Sequence, residues 1–297
     1  MQSKQQIERF LASSGVKPNR RLGQNFLIDM NLMRLLIGAA HIQPEDVVLE
    51  VGCGTGSFTE GLAKAAGEVI TVEIDETLAR IAKKQLAKAY NVKLFNADIL
   101  QGKHTLCPEV VEAVNDAAAR LDGRVMLVAN LPYKVAATVM MNLITGGEGS
   151  LIAEIMCVTV QKEVADRMIA APGSGDYGVL SIFMSATGSP TVLRKLKPSV
   201  FWPQPQVDSS MVRFIRDKEK VGRIHDMEFF RETVNLFMGH RRKMLQACAK
   251  FARGRLEKVY DWHDIFSRAF VEPHHRPEEL SADEYISIAN LCYEQTQ

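Results

Sequence analysis

The order of apolar segments predicts an α/β protein with a doubly wound, Rossmann-like sheet, followed by a smaller all-helical domain. From about residue 28, helical periodicity alternates with short runs rich in β-branched residues, which is typical of parallel strands joined by crossover helices. Beyond about residue 216 the periodicity is helical to the end. A length of 297 residues exceeds the usual size of one domain. We therefore expect two domains, over residues 1–216 and 217–297.

The predicted strands are continuous apolar runs, as expected for strands that are covered on both faces. They lie at residues 47–51, 69–74, 92–96, 124–129 and 152–160, with helices predicted at 57–66, 76–90 and 135–144. The connection 101–123 is expected to hold a helix at 109–121 outside the sheet. Prolines punctuate two further strands, at 191–196 and 208–215. A charged linker is expected at 216–223, before helical pieces near 227–248 and 282–292.

The composition excludes several classes of protein. Apolar residues make up 46% and charged residues 24%, which are ordinary globular values and exclude a disordered or collagen-like chain. No run approaches 18 apolar residues, and the first residues lack an apolar signal core. The five cysteines have no C-x-x-C pair, which favours reduced thiols over disulfides or a zinc site. We expect a cytoplasmic protein with no membrane partner and no metal.

A glycine-rich loop follows the first predicted strand. Gly52, Gly54 and Gly56 alternate with other residues after Glu50, so the backbone can turn tightly and approach a ligand at the carboxyl end of the strand. The dinucleotide fingerprint would need glycine where Ser57 stands, and no Walker lysine follows. The remaining pattern looks like the nucleoside-binding turn of S-adenosylmethionine (SAM) methyltransferases. The competing interpretation is a turn that serves only helix–strand packing.

Two acidic residues follow the next two strands. Glu73 ends the second strand, where a carboxylate can accept hydrogen bonds from both ribose hydroxyls. Asp98 follows the third strand, where it can accept a hydrogen bond from the adenine amine. Each residue alone is more often a strand-end or helix cap, but together they favour a nucleoside pocket.

The tetrapeptide Asn130-Leu131-Pro132-Tyr133 follows the fourth strand. Proline stiffens the turn and biases the residue before it away from helix, so the carbonyls of the turn are expected to lack helical partners. Asn130 offers an amide oxygen and Tyr133 an aromatic face. These groups suit a planar heterocycle with an exocyclic amine, whose hydrogens would be accepted by the turn. The competing interpretation is a turn that merely ends a strand.

These motifs together resemble those of the ribosomal RNA adenine N6,N6-dimethyltransferases, most closely the bacterial small-subunit type. The similarity extends over nearly the whole chain. It includes Leu22-Gly-Gln-Asn-Phe-Leu27, the glycine loop, Glu73, Asp98, residues 130–133, 161–164 and 177–181, the proline-rich segment 198–209, and Arg241-Arg242-Lys243.

The resemblance implies a role for individual residues. Asn25, Leu27, Gly52, Glu73, Asp98 and Asn130 would line the SAM site, with Gly54 and Gly56 completing the loop, and Tyr133 and Phe201 would enclose the target adenine. It also implies dimethylation of two neighbouring adenines in a hairpin loop near the 3′ end of small-subunit rRNA. The chain departs modestly from the family pattern, since Cys53 and Phe58 stand where many relatives have proline and leucine, and the 101–123 connection is longer.

Three basic clusters flank these motifs although the net charge of the chain is only +1. Basic segments of this kind can contact RNA phosphates, although a single cluster is more often a solvated helix face. The candidate RNA-binding residues are Arg20 and Arg21, then Arg194, Lys195 and Lys197, and finally Arg241, Arg242 and Lys243 within a basic segment at 241–258.

Two alternatives to small-subunit methylation stay open. The first is large-subunit rRNA adenine methylation of the antibiotic-resistance type, against which the long proline-punctuated segment and the Arg241-Arg242-Lys243 run argue. The second is an assembly factor whose methylation is secondary. A nicotinamide dehydrogenase is disfavoured by the glycine spacing, and a protein-glutamine methyltransferase by the basic clusters. We expect a monomer whose partners are small-subunit rRNA and the immature small subunit.

Overall fold

A computed structural model describes residues 1–19, 22–102, 105–146 and 151–297. They form two compact units, one of Met1–Ala165 with Thr191–Ile215 and the other of Asp166–Pro190 with Arg216–Gln297. The second unit therefore combines the segment from Arg216 onward with residues 166–190, which the sequence analysis assigned to the first domain.

Aromatic packing explains why residues 166–190 belong to the second unit. The buried Tyr177 donates a hydrogen bond from its hydroxyl to the Leu280 carbonyl at 2.8 Å. Phe183 packs edge-on against Phe230, with ring centroids 5.0 Å apart. These contacts join segments that are far apart in the chain, so no local pattern could have revealed them.

The described residues contain eleven strands and thirteen α-helices. The strands are β1 (Phe26–Leu27), β2 (Val47–Val51), β3 (Glu68–Glu73), β4 (Val92–Asn96), β5 (Leu100–Gln101), β6 (Thr105–Leu106), β7 (Val125–Asn130), β8 (Ile155–Gln161), β9 (Gly188–Leu196), β10 (Phe201–Trp202) and β11 (Ser209–Arg216). The helices are α1 (Lys4–Ser13), α2 (Met30–Ala40), α3 (Ser57–Leu62), α4 (Glu76–Gln85), α5 (Pro108–Leu121), α6 (Ala136–Thr145), α7 (Lys162–Met168), α8 (Val179–Thr187), α9 (Lys218–Gly222), α10 (Met227–Met238), α11 (Leu245–Ala249), α12 (Trp262–Arg268) and α13 (Ala282–Thr296).

The main sheet confirms the predicted α/β class. Its seven strands lie in the order β4-β3-β2-β7-β8-β11-β9. Neighbours from β4 to β8 are parallel, and β11 runs antiparallel to β8. All five residues of β2 are buried, as expected for a central strand, whereas β4 at the edge is half exposed. Because the parallel strands share one direction, the residues that follow β2, β3, β4 and β7 meet at one edge of the sheet.

Some predicted boundaries were wrong for local reasons. The expected linker at 216–223 contains α9, which begins where the Asp217 carboxylate accepts hydrogen bonds from the Glu219 and Lys220 amides. The helical stretch expected at 227–248 is two helices, because α10 ends at Met238 and α11 starts only at Leu245. The helix expected at 76–90 ends at Gln85.

The described part of the chain contains no helix that is both long enough and apolar enough to cross a membrane.

Candidate active site

A cavity of about 280 Å³ opens at the carboxyl ends of the parallel strands in the first unit. It brings together most of the residues that the sequence motifs singled out. The predicted site residues that line it are Asn25, Leu27, Gly52, Gly54, Glu73, Asp98, Asn130, Leu131, Pro132 and Tyr133. Gly56 and Phe201 are not among the lining residues. The spacing of motifs along the chain therefore predicted one convergent site.

The glycine loop needs glycine because of what lies against it. Gly52 has φ +84°, and a Cβ there would lie 3.0 Å from Pro132 Cγ. Gly54 has φ +57°, and a Cβ there would lie 2.8 Å from Phe26 Cε1. Both positions combine a left-handed backbone with a close neighbour. A side chain there would strain the backbone and also clash with that neighbour. The loop is thus packed directly against the Asn130–Tyr133 turn.

Glu73 lies beneath the loop with its side chain already ordered. It is 5% exposed, and its two carboxylate oxygens accept hydrogen bonds from the Gly54 amide at 2.8 Å and the Asp75 amide at 2.9 Å. Burial raises the pKa of this carboxyl, and the two amide donors oppose that shift. Each oxygen keeps a further lone pair for a ligand. Asp98, at the rim, is exposed and accepts a hydrogen bond from the Leu100 amide.

Glu50 is a component of the site whose role the sequence analysis did not identify. Its carboxylate is buried in the floor of the cavity and accepts hydrogen bonds from the Thr59 hydroxyl at 2.6 Å and the Thr71 hydroxyl at 2.8 Å. Burial raises the pKa of Glu50 to about 7, against the effect of the two hydroxyl donors. The two threonines lie nine and 21 residues after Glu50, which is why the motif alone did not indicate them.

The side-chain amide of Asn130 has a defined orientation. Its Nδ2 donates to the Asn25 carbonyl at 2.9 Å, so Oδ1 is the atom left to accept a hydrogen bond at the cavity. The Leu131 amide donates to the Thr159 carbonyl of β8. The Pro132 carbonyl accepts from the Val135 amide, so the expectation that the turn's carbonyls lack partners is wrong for this carbonyl. Within the described residues, the Leu131 carbonyl has no donor.

Tyr133 is held by a residue from a distant strand. Its hydroxyl lies 2.8 Å from the Ser209 hydroxyl at the start of β11, and burial raises the pKa of the Tyr133 phenol. Ser209 belongs to the conspicuous proline-rich segment, but sequence alone assigned it no contact. Only the antiparallel pairing of β11 with β8 brings the Ser209 hydroxyl to this ring.

Phe201 is buried behind the residues that line the cavity. Its side chain is 1% exposed and belongs to the apolar cluster that also contains Leu27 and Met211. The short pairing of β10 with β1 sets this position, since Phe201 lies opposite Leu27 and Trp202 opposite Phe26. The same pairing holds the Asn25-Phe26-Leu27 segment beside the glycine loop. The structure thus shows Phe201 packed in the core beside Leu27, and its pairing with Tyr133 around an adenine stays a prediction.

The predicted RNA-binding residues differ in whether their charged groups form ion pairs within the protein. Arg194, Lys195 and Lys197 are exposed, as are Arg242 and Lys243. Arg241 instead forms an ion pair with Glu278 at 2.8 Å. Arg20 and Arg21 lie outside the described residues.

The described residues include no group of three or more His, Cys, Asp or Glu side chains placed to hold a metal ion, and the five cysteines are buried and unpaired. The metal-free mechanism stays a prediction.

Comparison with known proteins decides the family. The family model described as "Ribosomal RNA adenine dimethylase" matches residues 15–294. The chain belongs to this family. It is 36% identical over 280 residues to the "Ribosomal RNA small subunit methyltransferase A" of Caldanaerobacter subterraneus subsp. tengcongensis, covering 94% of this chain and 98% of the relative. The protein of that name from Alkaliphilus oremlandii is 37% identical over 276 residues, covering 92% and 91%.

Solved structures of related fold agree with the observed sheet. A dimethyladenosine transferase from Plasmodium falciparum aligns with a TM-score of 0.70 at 22% identity, covering 91% of this chain and 98% of its own. The 23S rRNA methyltransferase ErmE aligns with a TM-score of 0.60, also at 22% identity, covering 90% and 98%. At these identities the likeness concerns the fold, and it confirms the methyltransferase-type α/β sheet expected for the family.

Proposed function

We propose that this chain transfers methyl groups from SAM to N6 of two adjacent adenines in a 3′-terminal hairpin loop of small-subunit rRNA, giving N6,N6-dimethyladenine. The observation that carries the proposal is the placement of Asn130. Asn130 lines a cavity together with the glycine loop, Glu73 and Tyr133, and because its Nδ2 donates to the Asn25 carbonyl, Oδ1 is the atom left to accept a hydrogen bond. The family of the chain is ribosomal RNA adenine dimethylase. The relatives named above carry small-subunit names, which favours that substrate over the large-subunit alternative.

The residues around the cavity fit SAM. Gly52 and Gly54 line the cavity in a left-handed backbone conformation, which brings the main chain of the loop directly to the place of a ligand. Glu73 would accept hydrogen bonds from the ribose hydroxyls, and Asp98 from the adenine amine of the cofactor. SAM, when bound, supplies a methyl group on a sulfonium, which is a good leaving group. The chain's task is therefore alignment and electrostatics.

The turn at residues 130–133 would activate the target base. The exocyclic amine of adenine is a poor nucleophile because its lone pair is delocalised into the ring. Asn130 Oδ1 and the Leu131 carbonyl would accept its two hydrogens, which pyramidalises the nitrogen and directs its lone pair. Tyr133 would stack on the base, an interaction worth about 1–3 kcal/mol. The amine proton becomes acidic once nitrogen is alkylated, so no strong general base is needed.

The target adenine must leave its stack to reach this turn, which is cheapest in a single-stranded loop. The first unit contains the cavity, and we infer that the helical second unit holds structured RNA through exposed cations such as Arg242 and Lys243. The immature small subunit as partner, the monomeric state and the cytoplasmic location stay predictions.

The test offers labelled SAM to the purified protein with unmethylated small subunits, and separately with large subunits and with naked rRNA. We expect label as N6,N6-dimethyladenine in small-subunit RNA only. The Asn130→Ala variant serves as the matched control, because it should bind subunits and lose transfer.

Each other outcome contradicts part of the proposal. Label confined to large-subunit RNA would assign the protein to large-subunit methylation. Tight binding to small subunits with no label in any RNA would make assembly the main role and overturn the catalytic proposal.

A further inference from the structure

A further concentration of positive charge lies outside the basic clusters that the sequence analysis named. Between Thr77 and Ala97 the chain has five basic residues and no acidic residue. Since the whole chain has a net charge of +1 and this segment +5, the remaining residues together have −4. The five residues are Arg80, Lys83, Lys84, Lys88 and Lys93, and we name them the α4–β4 surface.

These five side chains are exposed and continuous in the fold. Arg80, Lys83 and Lys84 lie on α4, Lys88 on the turn after it, and Lys93 on the edge strand β4. Arg80 and Lys84 are one helical turn apart, about 6 Å along the axis, and so lie on the same side of α4. None of the five has a carboxylate partner within the described ranges. Glu76, the first residue of α4, is the one acidic residue of that helix.

Two further features mark this surface as a site of contact. A hollow between α1 and α4 is lined by Arg80 and Lys84 together with the hydroxyl-bearing Ser13 and Ser14. The Arg80 and Lys84 cations and the Ser14 hydroxyl suit a phosphate group, whereas the Ser13 hydroxyl already donates to the Phe10 carbonyl at 3.0 Å. Tyr90, in the turn between Lys88 and Lys93, is 100% exposed. A fully exposed aromatic ring beside cations is the combination that holds an unpaired base.

The surface also leads to the cavity. α4 starts at Glu76, directly after Asp75, whose amide donates to Glu73. β4 ends at Asn96, two residues before Asp98 at the cavity rim. Both elements therefore extend from the Glu73 and Asp98 side of the cavity and carry the cations along the β4 edge of the sheet.

We propose that the α4–β4 surface binds the sugar–phosphate backbone of the RNA substrate, with Tyr90 stacking on an unpaired base. The proposal rests on the proposed function, since it concerns the same RNA. It differs from the expectation based on basic clusters in the sequence, which assigned RNA contacts to residues 20–21, 194–197 and 241–243 and assigned none to α4 or β4.

The experiment compares two triple variants with the same change in charge. The test variant is Arg80→Gln/Lys84→Gln/Lys88→Gln. The control variant is Lys4→Gln/Lys64→Gln/Arg120→Gln, which removes three exposed cations that already have carboxylate partners, Glu8, Glu60 and Glu68. Binding to unmethylated small subunits and to naked small-subunit rRNA is measured from 0.05 to 0.3 M salt. SAM affinity and kcat are measured at saturating RNA.

We expect Kd and KM for RNA to rise at least tenfold in the test variant at about 0.1 M salt, with SAM affinity and kcat unchanged. The slope of log Kd against log salt should fall by about 2 to 3, because each lost phosphate contact removes roughly 0.7–0.9 from it. The control variant should behave as the wild type. Tyr90→Ala should weaken RNA binding about fivefold, and Tyr90→Phe should not, because it keeps the stacking ring.

The outcomes that overturn the proposal are distinct. Equal Kd values and salt slopes in the test and control variants would remove the surface from the RNA interface and leave the proposed function intact. Weaker binding to subunits with unchanged binding to naked rRNA would identify an acidic ribosomal protein as the partner in place of RNA. If the wild-type protein neither binds nor methylates rRNA, both the proposed function and the RNA-binding role of this surface are overturned.

Discussion

The glycine loop and the Asn130–Tyr133 turn face the same cavity from neighbouring strands, but their polar groups are used differently. In and around the loop, hydrogen bonds are already made inside the protein, from the Gly54 amide to Glu73 and from Thr59 and Thr71 to Glu50. In the turn, Asn130 donates a hydrogen bond from Nδ2 to the Asn25 carbonyl. Its Oδ1 and the Leu131 carbonyl remain available to accept hydrogen bonds from a ligand. The difference indicates that the loop is a pre-formed binding surface, whereas the turn keeps hydrogen-bond acceptors that can act on the reacting base.

The sharpest test of this difference is Asn130→Ala. We expect kcat to fall by roughly 10²–10³, the usual cost of removing one pre-organised polar group that acts in the transition state. Affinities for SAM and RNA should change little. Asn130→Asp is the matched control, because it keeps an acceptor at Oδ1 and loses the donor to Asn25. A loss of SAM binding that equals the loss of kcat would contradict the assignment of Asn130 to the reacting side.

On the loop side, Glu50 makes stability depend on pH. Burial raises its pKa from 4.5 to about 7, so between these values the folded protein holds a proton that the unfolded chain has released. The free energy of unfolding then falls as pH rises through this window, by about 3 kcal/mol for this group. Glu50→Gln, which keeps the acceptor for Thr59 and Thr71, should match wild type near pH 4.5 and exceed it near pH 8.

Urea unfolding of the wild-type protein and this variant at the two pH values measures the effect. A constant difference between them across the range would show that Glu50 does not titrate there.

Gly54→Ala should have the opposite effect to Asn130→Ala, because it should weaken SAM binding and leave kcat unchanged. The added methyl would meet Phe26 at 2.8 Å with the backbone at φ +57°, so we expect SAM to bind about tenfold to thirtyfold more weakly. The value of kcat, measured at saturating SAM, should equal that of the wild-type protein. Gly15→Ala is the control, since it has φ +67° and no heavy atom within 4 Å of the added carbon. Isothermal titration calorimetry of both variants decides; equal SAM affinities would contradict the close packing of the loop.

The smallest expected effect concerns the contact that positions Tyr133. Ser209→Ala and Tyr133→Phe each remove one hydroxyl of the 2.8 Å pair. We expect each to lower kcat/KM for RNA about threefold to tenfold, the size of one hydrogen bond. The double variant should lose no more than either single one, with SAM affinity unchanged. Strictly additive losses would show that the two hydroxyls act independently and that Ser209 does not orient the ring.

Clusters of basic residues in the sequence do not by themselves show how much positive charge a surface presents. The 241–258 segment has seven basic residues against one acidic residue, Glu257. In the fold, however, Arg241 pairs with Glu278, and Arg255 with Asp226 and Glu232. Among the described residues the 241–258 segment thus keeps five cations without carboxylate partners, the same number as the α4–β4 surface, which has fewer cations in the sequence. Spatial partners, which come from distant segments, decide how much charge a surface presents.

The sequence by itself determined the α/β class, the positions of β2 and β4, and the convergence of Gly52, Glu73, Asp98 and Asn130. It could do so because these features depend on short-range patterns: apolar runs define strands, and residues just after parallel strands share one edge. Tertiary structure alone decided that Phe201 is buried, that Ser209 holds Tyr133, that Glu50 has threonine partners and that residues 166–190 belong to the second unit. Each of these depends on pairing or packing between segments far apart in the chain, which no local pattern encodes.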